Sequence, residues 1–447
     1  MEQHVCDTYV RILKNELIVA LGCTEPIAIA YAGALARKVL GAMPQKVNVA
    51  CSGNIVKNVK GVTVPNSGGL RGIKVAALLG ITGGDAEKEL AVLEGVTDDA
   101  REQTRSLLAA GVCTTSLVEG EENLVVIVTA EASSHTALVE IRGTHTHVAR
   151  VEKDGAVLQS SAAEGSAQET APDKALLNVR DILTFAETAD LTEIKPLLLR
   201  QVECNVAISY EGLRQGYGGE VGRTLLELYG TCCPVQVRAA AAAAAGSDAR
   251  MNGCPMPVVI NSGSGNQGIT LTLPVVEYAK ELHASSEMML RALVLANLLS
   301  VHQKKYIGSL SAYCGATSAA CAAGAAVCWM RGGGYEEICG TITNTLATLG
   351  GMLCDGAKSS CAAKIATAVQ TALLAAAMSA HGRRFRHRGW HCHTGCGRDH
   401  CRHWLHCPRR HALCRQRNSS PDAGTRVILH TFSTQGPMFW ALCFFVQ

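Results

Sequence analysis

Apolar residues at Val5, Tyr9, Ile12, Leu13 and Leu17 recur at helical spacing, so the chain opens on an amphipathic helix. That helix stops near Gly22, and Pro26 suits the first turn of a second helix running through Arg37. From Lys46 the period falls to two: Val47, Val49 and Cys51 alternate with polar neighbours, and the segment from Gly61 to Gly69 is rich in turn residues. Leu70 to Leu79 and Ala86 to Leu108 read as helices. Alternation returns in Thr114 to Val118, Leu124 to Ala130, Thr136 to Ile141 and Thr146 to Val151, which predicts an antiparallel sheet covered by helices on one face. Asp154 to Pro172, rich in Ser, Ala, Gly and Glu, reads as a linker. Helical patterns then cover Lys174 to Glu187, Glu211 to Tyr229, Val235 to Ala245, Val275 to Leu298 and Ser309 to Gln370. The expected class is α+β: a small antiparallel sheet with helices in residues 1–153, and an all-helical, small-residue-rich half in residues 173–380.

Composition sharpens this picture. A chain of 447 residues with 48% hydrophobic content has ample material for a large core. Aromatics make up only 4%, so Ala, Val, Leu and Gly must build most of that core. The 44 glycines follow no three-residue period, which excludes collagen. A net charge of +3 gives no case for nucleic acid or a membrane surface. Gly308 to Met330 is uncharged and long enough to span a bilayer, but its Ala, Gly, Ser, Thr and Cys gain little from lipid, so it reads as a buried helix. The start, Met1 to His4, lacks the basic-then-apolar pattern of a secretory signal. The expectation is a cytoplasmic protein whose 20 cysteines are reduced and serve metal ligation, catalysis or packing.

Residue usage breaks near position 381. Fourteen cysteines precede His381 and six follow it, and the last 67 residues hold 11 Arg, no Lys, and only Asp399 and Asp422 as acids. That segment therefore carries +9 against −6 for the rest. Cys392, Cys396, Cys401 and Cys407 could be read as a zinc module, but their spacings match no paired ligand pattern. A basic nucleic-acid tail would mix Lys with Arg. Arg, His, Cys, Trp and Pro arise together when a GC-rich gene is read out of frame, and residues 381–447 are read as an out-of-frame, disordered tail.

Three groups of residues could carry chemistry. In G-C-T-E-P, Gly22 to Pro26, Cys23 sits at the start of a helix, where the dipole and free amides favour a thiolate; a buried packing thiol is the plainer reading. The loops C-S-G-N-I-V-K-N (Cys51 to Asn58), P-N-S-G-G (Pro65 to Gly69) and N-S-G-S-G-N-Q-G (Asn261 to Gly268) combine Gly-rich backbone with amides and a lysine. Such loops suit a small carboxylate ligand, although hairpin turns alone would explain the first two. The third lacks the G-K-[ST] ending of a phosphate loop. Candidate substrate contacts are Asn54, Lys57, Asn66, Asn261 and Asn266. Cys314 in S-A-Y-C-G-A, with Cys354 and Cys361 in C-D-G-A-K-S-S-C-A-A-K, forms a set that could ligate an iron–sulfur cluster, with Lys358 and Lys364 offsetting thiolate charge. Cysteine acting as a small hydrophobe explains others, such as Cys321 and Cys328.

Taken in order, L-G-C-T-E-P, S-G-N-I-V-K-N, V-P-N-S-G-G-x-R-G, N-S-G-S-G-N-Q-G, A-Y-C-G-A and L-C-D-G-A-K-x-S-C-A-x-K resemble the L-cysteine desulfidase family, a group related to the α-chain of iron–sulfur L-serine dehydratases. The resemblance runs from about residue 5 to residue 380. It implies a [4Fe–4S] cluster on Cys314, Cys354 and Cys361, with Cys23 as proton acceptor. It also implies β-elimination of L-cysteine to hydrogen sulfide, ammonia and pyruvate without pyridoxal phosphate. A small amino-acid substrate is expected, with no nucleic-acid or membrane partner and room for a homo-oligomer. The alternatives are an L-serine dehydratase with the same cluster chemistry and a non-catalytic ligand- or metal-binding relative.

Overall fold

A computed structural model describes residues 1–120, 123–161, 172–308 and 311–385. Of the expected out-of-frame, disordered tail 381–447, residues 381–385 are described and held in place, the Phe385 amide donating to Asn344 Oδ1 and Asn344 Nδ2 to the Arg383 carbonyl; the rest lies outside the described residues.

The N-terminal half runs α1 (Gln3–Glu16), β1 (Val19–Leu21), α2 (Thr24–Leu40), β2 (Lys46–Ser52), α3 (Gly53–Val59), α4 (Ile73–Gly83) and α5 (Asp98–Ala109). Strands β3 (Cys113–Val118), β4 (Val125–Ala132), β5 (His135–Arg142), β6 (Val148–Lys153) and β7 (Ala156–Ser160) follow. Six strands form one sheet in the order β3-β2-β4-β5-β6-β7. The expected antiparallel pairing holds from β2 through β7, while β2 and β3 run parallel because the helices between them supply the crossover a parallel pair requires. Val47, Val49 and Cys51 of β2 and Val126, Val128 and Ala130 of β4 are buried in one core with Ile29 and Ala32 of α2 and Leu78 and Leu79 of α4. Helices α2 and α4 touch backbone to backbone: a Cβ added at Gly80 would lie 2.1 Å from the carbonyl oxygen of Ala30.

Two expected boundaries moved. Ala86 to Leu108 is not one helix, since Asp85 accepts from the Glu87 amide to start a short 3-10 turn and Thr97 accepts from the Ala100 amide to begin α5. The expected linker begins later than residue 154, because Asp154 and Gly155 turn the chain into β7.

The C-terminal half contains α6 (Val179–Thr188), α7 (Lys195–Arg214), α8 (Val221–Tyr229), α9 (Val235–Met251), β8 (Pro257–Val259), α10 (Gly265–Glu281), α11 (Ser286–Ile307), α12 (Gly315–Met330), α13 (Tyr335–Leu349) and α14 (Cys361–Ala380). The run read as one helix from Glu211 to Tyr229 is split, because buried Asp248 of α9 accepts the amides of Gly219 and Val221 and caps α8 there. The run from Val275 to Leu298 is split where Ser285 caps α11. The seven alanines from Ala239 to Ala245 all lie buried in α9, and their small size lets other helices approach closely: a Cβ at Gly212 would stand 2.0 Å from the Ala245 carbonyl oxygen. Helix α14 is long and apolar enough to cross a membrane, and in this fold it packs against α9, α12 and α13.

Helix α1 and strand β1 both tie the N-terminal half to the helical half. Helix α1 joins the helical core, where the Tyr9 ring meets Phe185 edge-on at 5.4 Å and its hydroxyl donates to the Leu176 carbonyl. Strand β1 pairs antiparallel with β8, Val19 opposite Val259 and Leu21 opposite Pro257. The free edge of β8 is closed by the Asn205 side chain, which accepts from the Val259 amide and donates to its carbonyl.

Candidate active site

The antiparallel β1–β8 ladder releases Gly22-Cys23 at one end and 260–264 at the other, and the second loop turns back so that its Gly263 carbonyl meets Thr24. Gly22 turns with φ +65°, a conformation that favours glycine, and Cys23 becomes the N-cap residue of α2. Arg250, buried on α9, holds the loops together: its Nε donates to the Gly22 carbonyl at 3.0 Å and its Nη1 to Asn266 Oδ1 at 3.1 Å. Thr24 adds a hydrogen bond to the Gly263 carbonyl.

The expected N-cap position is found, but the dipole does not decide the charge of Cys23. Its Sγ donates to Glu25 Oε2 at 3.0 Å, and Asn58 Nδ2 donates to Glu25 Oε1 at 2.7 Å. Burial and the adjacent Glu25 charge push the Cys23 thiol well up, and Arg250 only partly counters them. The resting residue is therefore a thiol. Burial would also raise the Glu25 carboxyl. His145, the Cys23 thiol, the Glu25 amide and Arg250 outweigh that and hold it below the usual carboxylate range. Burial pushes the His145 imidazole down despite Glu25, so it is neutral near pH 7.

Facing this group are the three cysteines of the C-terminal half. An isolated bridge between Tyr313 and Leu353 aligns their segments, with the Cys354 amide donating to the Ala312 carbonyl at 2.7 Å and the Cys314 amide to the Met352 carbonyl at 3.1 Å. Cys314 is the N-cap residue of α12, and Cys361 opens α14. All three thiols line one cleft with Cys23, Glu25, Lys57, Asn58, His145 and Arg250. The cavity of this cleft measures about 110 Å³, the size of a small ligand. Burial, then the neighbouring Cys354 charge, pushes the Cys314 thiol up to about 11. Burial pushes the Lys304 ammonium, on α11, down to about 8, against the attraction of Cys354 and Cys314. Lys358 and Lys364 both pair with Asp355, so part of their charge is already matched.

No three His, Cys, Asp or Glu converge as ligands of a single ion among the described residues. A [4Fe–4S] cluster asks for something else: thiolates spread around a cube, each taking a different iron. Three thiols brought to one cleft from two segments, Cys314 from one and Cys354 and Cys361 from the other, fit that requirement.

Of the residues expected to contact substrate, Lys57 and Asn266 line the cleft, and Lys57 Nζ donates to the Ser311 carbonyl. The other three lie elsewhere. Asn54 donates to Asn123, Asn66 donates to the Leu93 carbonyl beside a separate groove, and Asn261 is fully buried with its amide on Asn297. Sequence reading did not select Glu25, Asn58, His145, Arg250, Gln267 or Lys304. Glu25, Asn58 and Gln267 sit inside quoted motifs, where only the fold shows which way each faces. Arg250 and Lys304 are buried charges on helices that carry other charged residues, so only the fold singles them out.

Residues 87–389 match the serine dehydratase alpha chain family. A UPF0597 protein of Lachnoclostridium phytofermentans is 52% identical over 374 residues, covering 84% of this chain and 89% of the relative. UPF0597 proteins of Treponema denticola and Desulfitobacterium hafniense are each 45% identical, and each covers 85% of this chain with 89% and 88% of its own length. The chain belongs to the serine dehydratase alpha-chain family.

Proposed function

We propose that the protein is an iron–sulfur lyase that eliminates the β-substituent of a small L-amino acid, with L-cysteine as substrate. The observation that carries this reading is the cleft itself: Cys23 with its carboxylate partner faces Cys314, Cys354 and Cys361 across a space for a small ligand.

Cys314, Cys354 and Cys361 would hold a [4Fe–4S] cluster, which when bound supplies a Lewis-acidic iron left open by its three-cysteine ligation. The remaining work falls to the chain. Lys57, Lys304 and Arg250 give the cleft a positive wall for the substrate carboxylate. For Cys23 to take the Cα proton, its own proton must first pass to Glu25 along the existing hydrogen bond, against the resting preference of both groups. The Cα–H electron pair becomes the Cα–Cβ double bond as the Cβ–S bond breaks and sulfide leaves. Water then converts the aminoacrylate to pyruvate and ammonia. Burial of Cys23 keeps competing water away from the nascent thiolate.

The family match favours a second reading, elimination of water from L-serine by the same groups. Anaerobic reconstitution with iron and sulfide, followed by assay of sulfide and pyruvate from both amino acids, separates the two. Brown protein that releases sulfide from L-cysteine is expected. Turnover of L-serine alone would move the assignment to a dehydratase, and a cluster without turnover of either would sink the lyase reading. Cys354→Ala should lose colour and activity together. Cys321→Ala should keep both, because burial pushes that thiol up to about 12 inside α12, away from the cleft.

A further inference from the structure

Three polar atoms lining the cleft have no partner. Asn58 Oδ1, Gln267 Oε1 and His145 Nε2 are all shut off from solvent, and none accepts a hydrogen bond in the structure. Buried acceptors are almost always satisfied, so three on one cleft mark a place where a donor group binds. Asn58 and Gln267 are themselves more than nine-tenths buried, at 7% and 3% exposure.

The orientation of Asn58 is fixed: its Nδ2 is committed to Glu25 Oε1 at 2.7 Å, so the oxygen is the free end. Gln267 stands in the first turn of α10, where Gly315 leaves it space; a Cβ at Gly315 would lie 2.8 Å from its Cδ. His145 comes from the turn between β5 and β6, and with the ring proton on Nδ1 its Nε2 is an acceptor.

We infer that Asn58 Oδ1, Gln267 Oε1 and His145 Nε2 form the subsite for the substrate's α-ammonium group. The inference rests on the amino-acid lyase reading above and deepens it. Three acceptors match the three N–H bonds of an ammonium. The Glu25 carboxylate beside Asn58 supplies the complementary charge. The connectivity agrees with the chemistry: Asn58 is joined to Glu25, and Glu25 to Cys23 at 3.0 Å. An ammonium held at Asn58 keeps Cα one bond away, within the neighbourhood of the thiol that removes its proton. Specificity follows, because a ligand lacking the amino group leaves three buried acceptors unpaired, a defect that discriminates strongly.

The test measures binding by calorimetry on the reconstituted full chain carrying Cys23→Ser, so that ligand is not consumed. The probes are L-serine and 3-hydroxypropanoate, which differ by the amino group. The Cys23→Ser chain should prefer L-serine by at least about 10-fold, the expected scale for hydrogen bonds to a charged group. Adding Gln267→Met, near in shape but without the oxygen, should weaken L-serine by roughly 10- to 100-fold and leave 3-hydroxypropanoate within about twofold. Equal affinity for the two probes overturns the subsite without reference to any Gln267 variant. Equal weakening of both by Gln267→Met also overturns it. Failure to bind either L-serine or L-cysteine overturns the amino-acid reading and the subsite with it, an outcome distinct from the other two.

Discussion

Replacing Gly22 by alanine tests how tightly the backbone before Cys23 is fixed. The residue has φ +65°, and the added Cβ would lie 2.2 Å from Pro65 Cγ. The left-handed conformation costs an L-residue about 1–2 kcal/mol. A carbon–carbon contact normally lies near 3.5–4.0 Å, so the loop must also retreat by more than an ångström from a rigid proline ring. Overpacking of that kind costs about 1–3 kcal/mol. Loss of glycine's freedom in the unfolded chain returns about 0.4–1 kcal/mol, leaving a net destabilisation of roughly 2–4 kcal/mol. Gly41 is the control, for it has φ +80° but nothing within 4 Å of the added Cβ. Gly41→Ala should cost only about 1 kcal/mol and leave turnover unchanged. Relief of the Gly22→Ala strain moves Cys23, and a displacement of about 1 Å at a reacting group costs on the order of 100-fold in rate. Urea unfolding midpoints and pyruvate release measure the two effects. Equal stability and equal turnover in the two variants would refute the reasoning.

Three further outcomes follow from the same geometry. Cys23→Ser should keep the iron–sulfur absorbance but lose about 10²- to 10⁴-fold of turnover, because a serine hydroxyl is too weak an acid to serve as base; loss of the absorbance would make Cys23 a ligand instead. Alkylation followed by mass spectrometry should label exposed Cys232 before buried Cys51, since burial pushes the Cys51 thiol up to about 12; the reverse order would contradict the packing around β2. Burial raises the Asp248 carboxyl from 3.8 to about 6, against the amides of Val221, Gly219 and Gly222. The folded state therefore keeps that proton longer, so this residue's stabilising contribution is full below about pH 4 and is lost as pH rises through 6. Asp248→Asn should flatten the difference in urea midpoint between pH 4 and pH 6.5, and an unchanged slope would count against the assignment.

The periodic segments were legible because burial imposes the period. The alternation in β2 and β4 and the helical spacing of α1 each reflect one face turned to a core. The breaks were less legible. Nothing within Ala86 to Leu108 announces that the Thr97 hydroxyl restarts the helix, and the cap of α8 comes from Asp248, distant in sequence. Strand β8 is too short for alternation to register, yet it carries the ladder that orients both site loops. In the cleft, Cys23 and the three cysteines of the C-terminal half stood out by their motifs, while Asn54 and Asn58 are indistinguishable by type and only four positions apart. One bonds Asn123 outside the cleft and the other bonds Glu25 within it, a difference set by position along α3, since residues four apart share one face of the helix. His145 belongs to a hairpin turn and enters the site only through the way the two halves meet.

The pairing of β1 with β8 works as a calliper. Its two jaws, Gly22-Cys23 and the loop from Asn261 to Ser264, leave opposite ends of a ladder only three residue pairs long. Because the strands are antiparallel, sliding one by a single residue would change the gap between the jaws by about 3.4 Å and turn every side chain of the slipped strand to the opposite face. The Arg250 tie and the Asn205 clasp on Val259 oppose that slip from both sides. Changes far from the chemistry, at Asn205 or in the helix that carries it, should therefore register as a loss of alignment between the halves before any loss of folding.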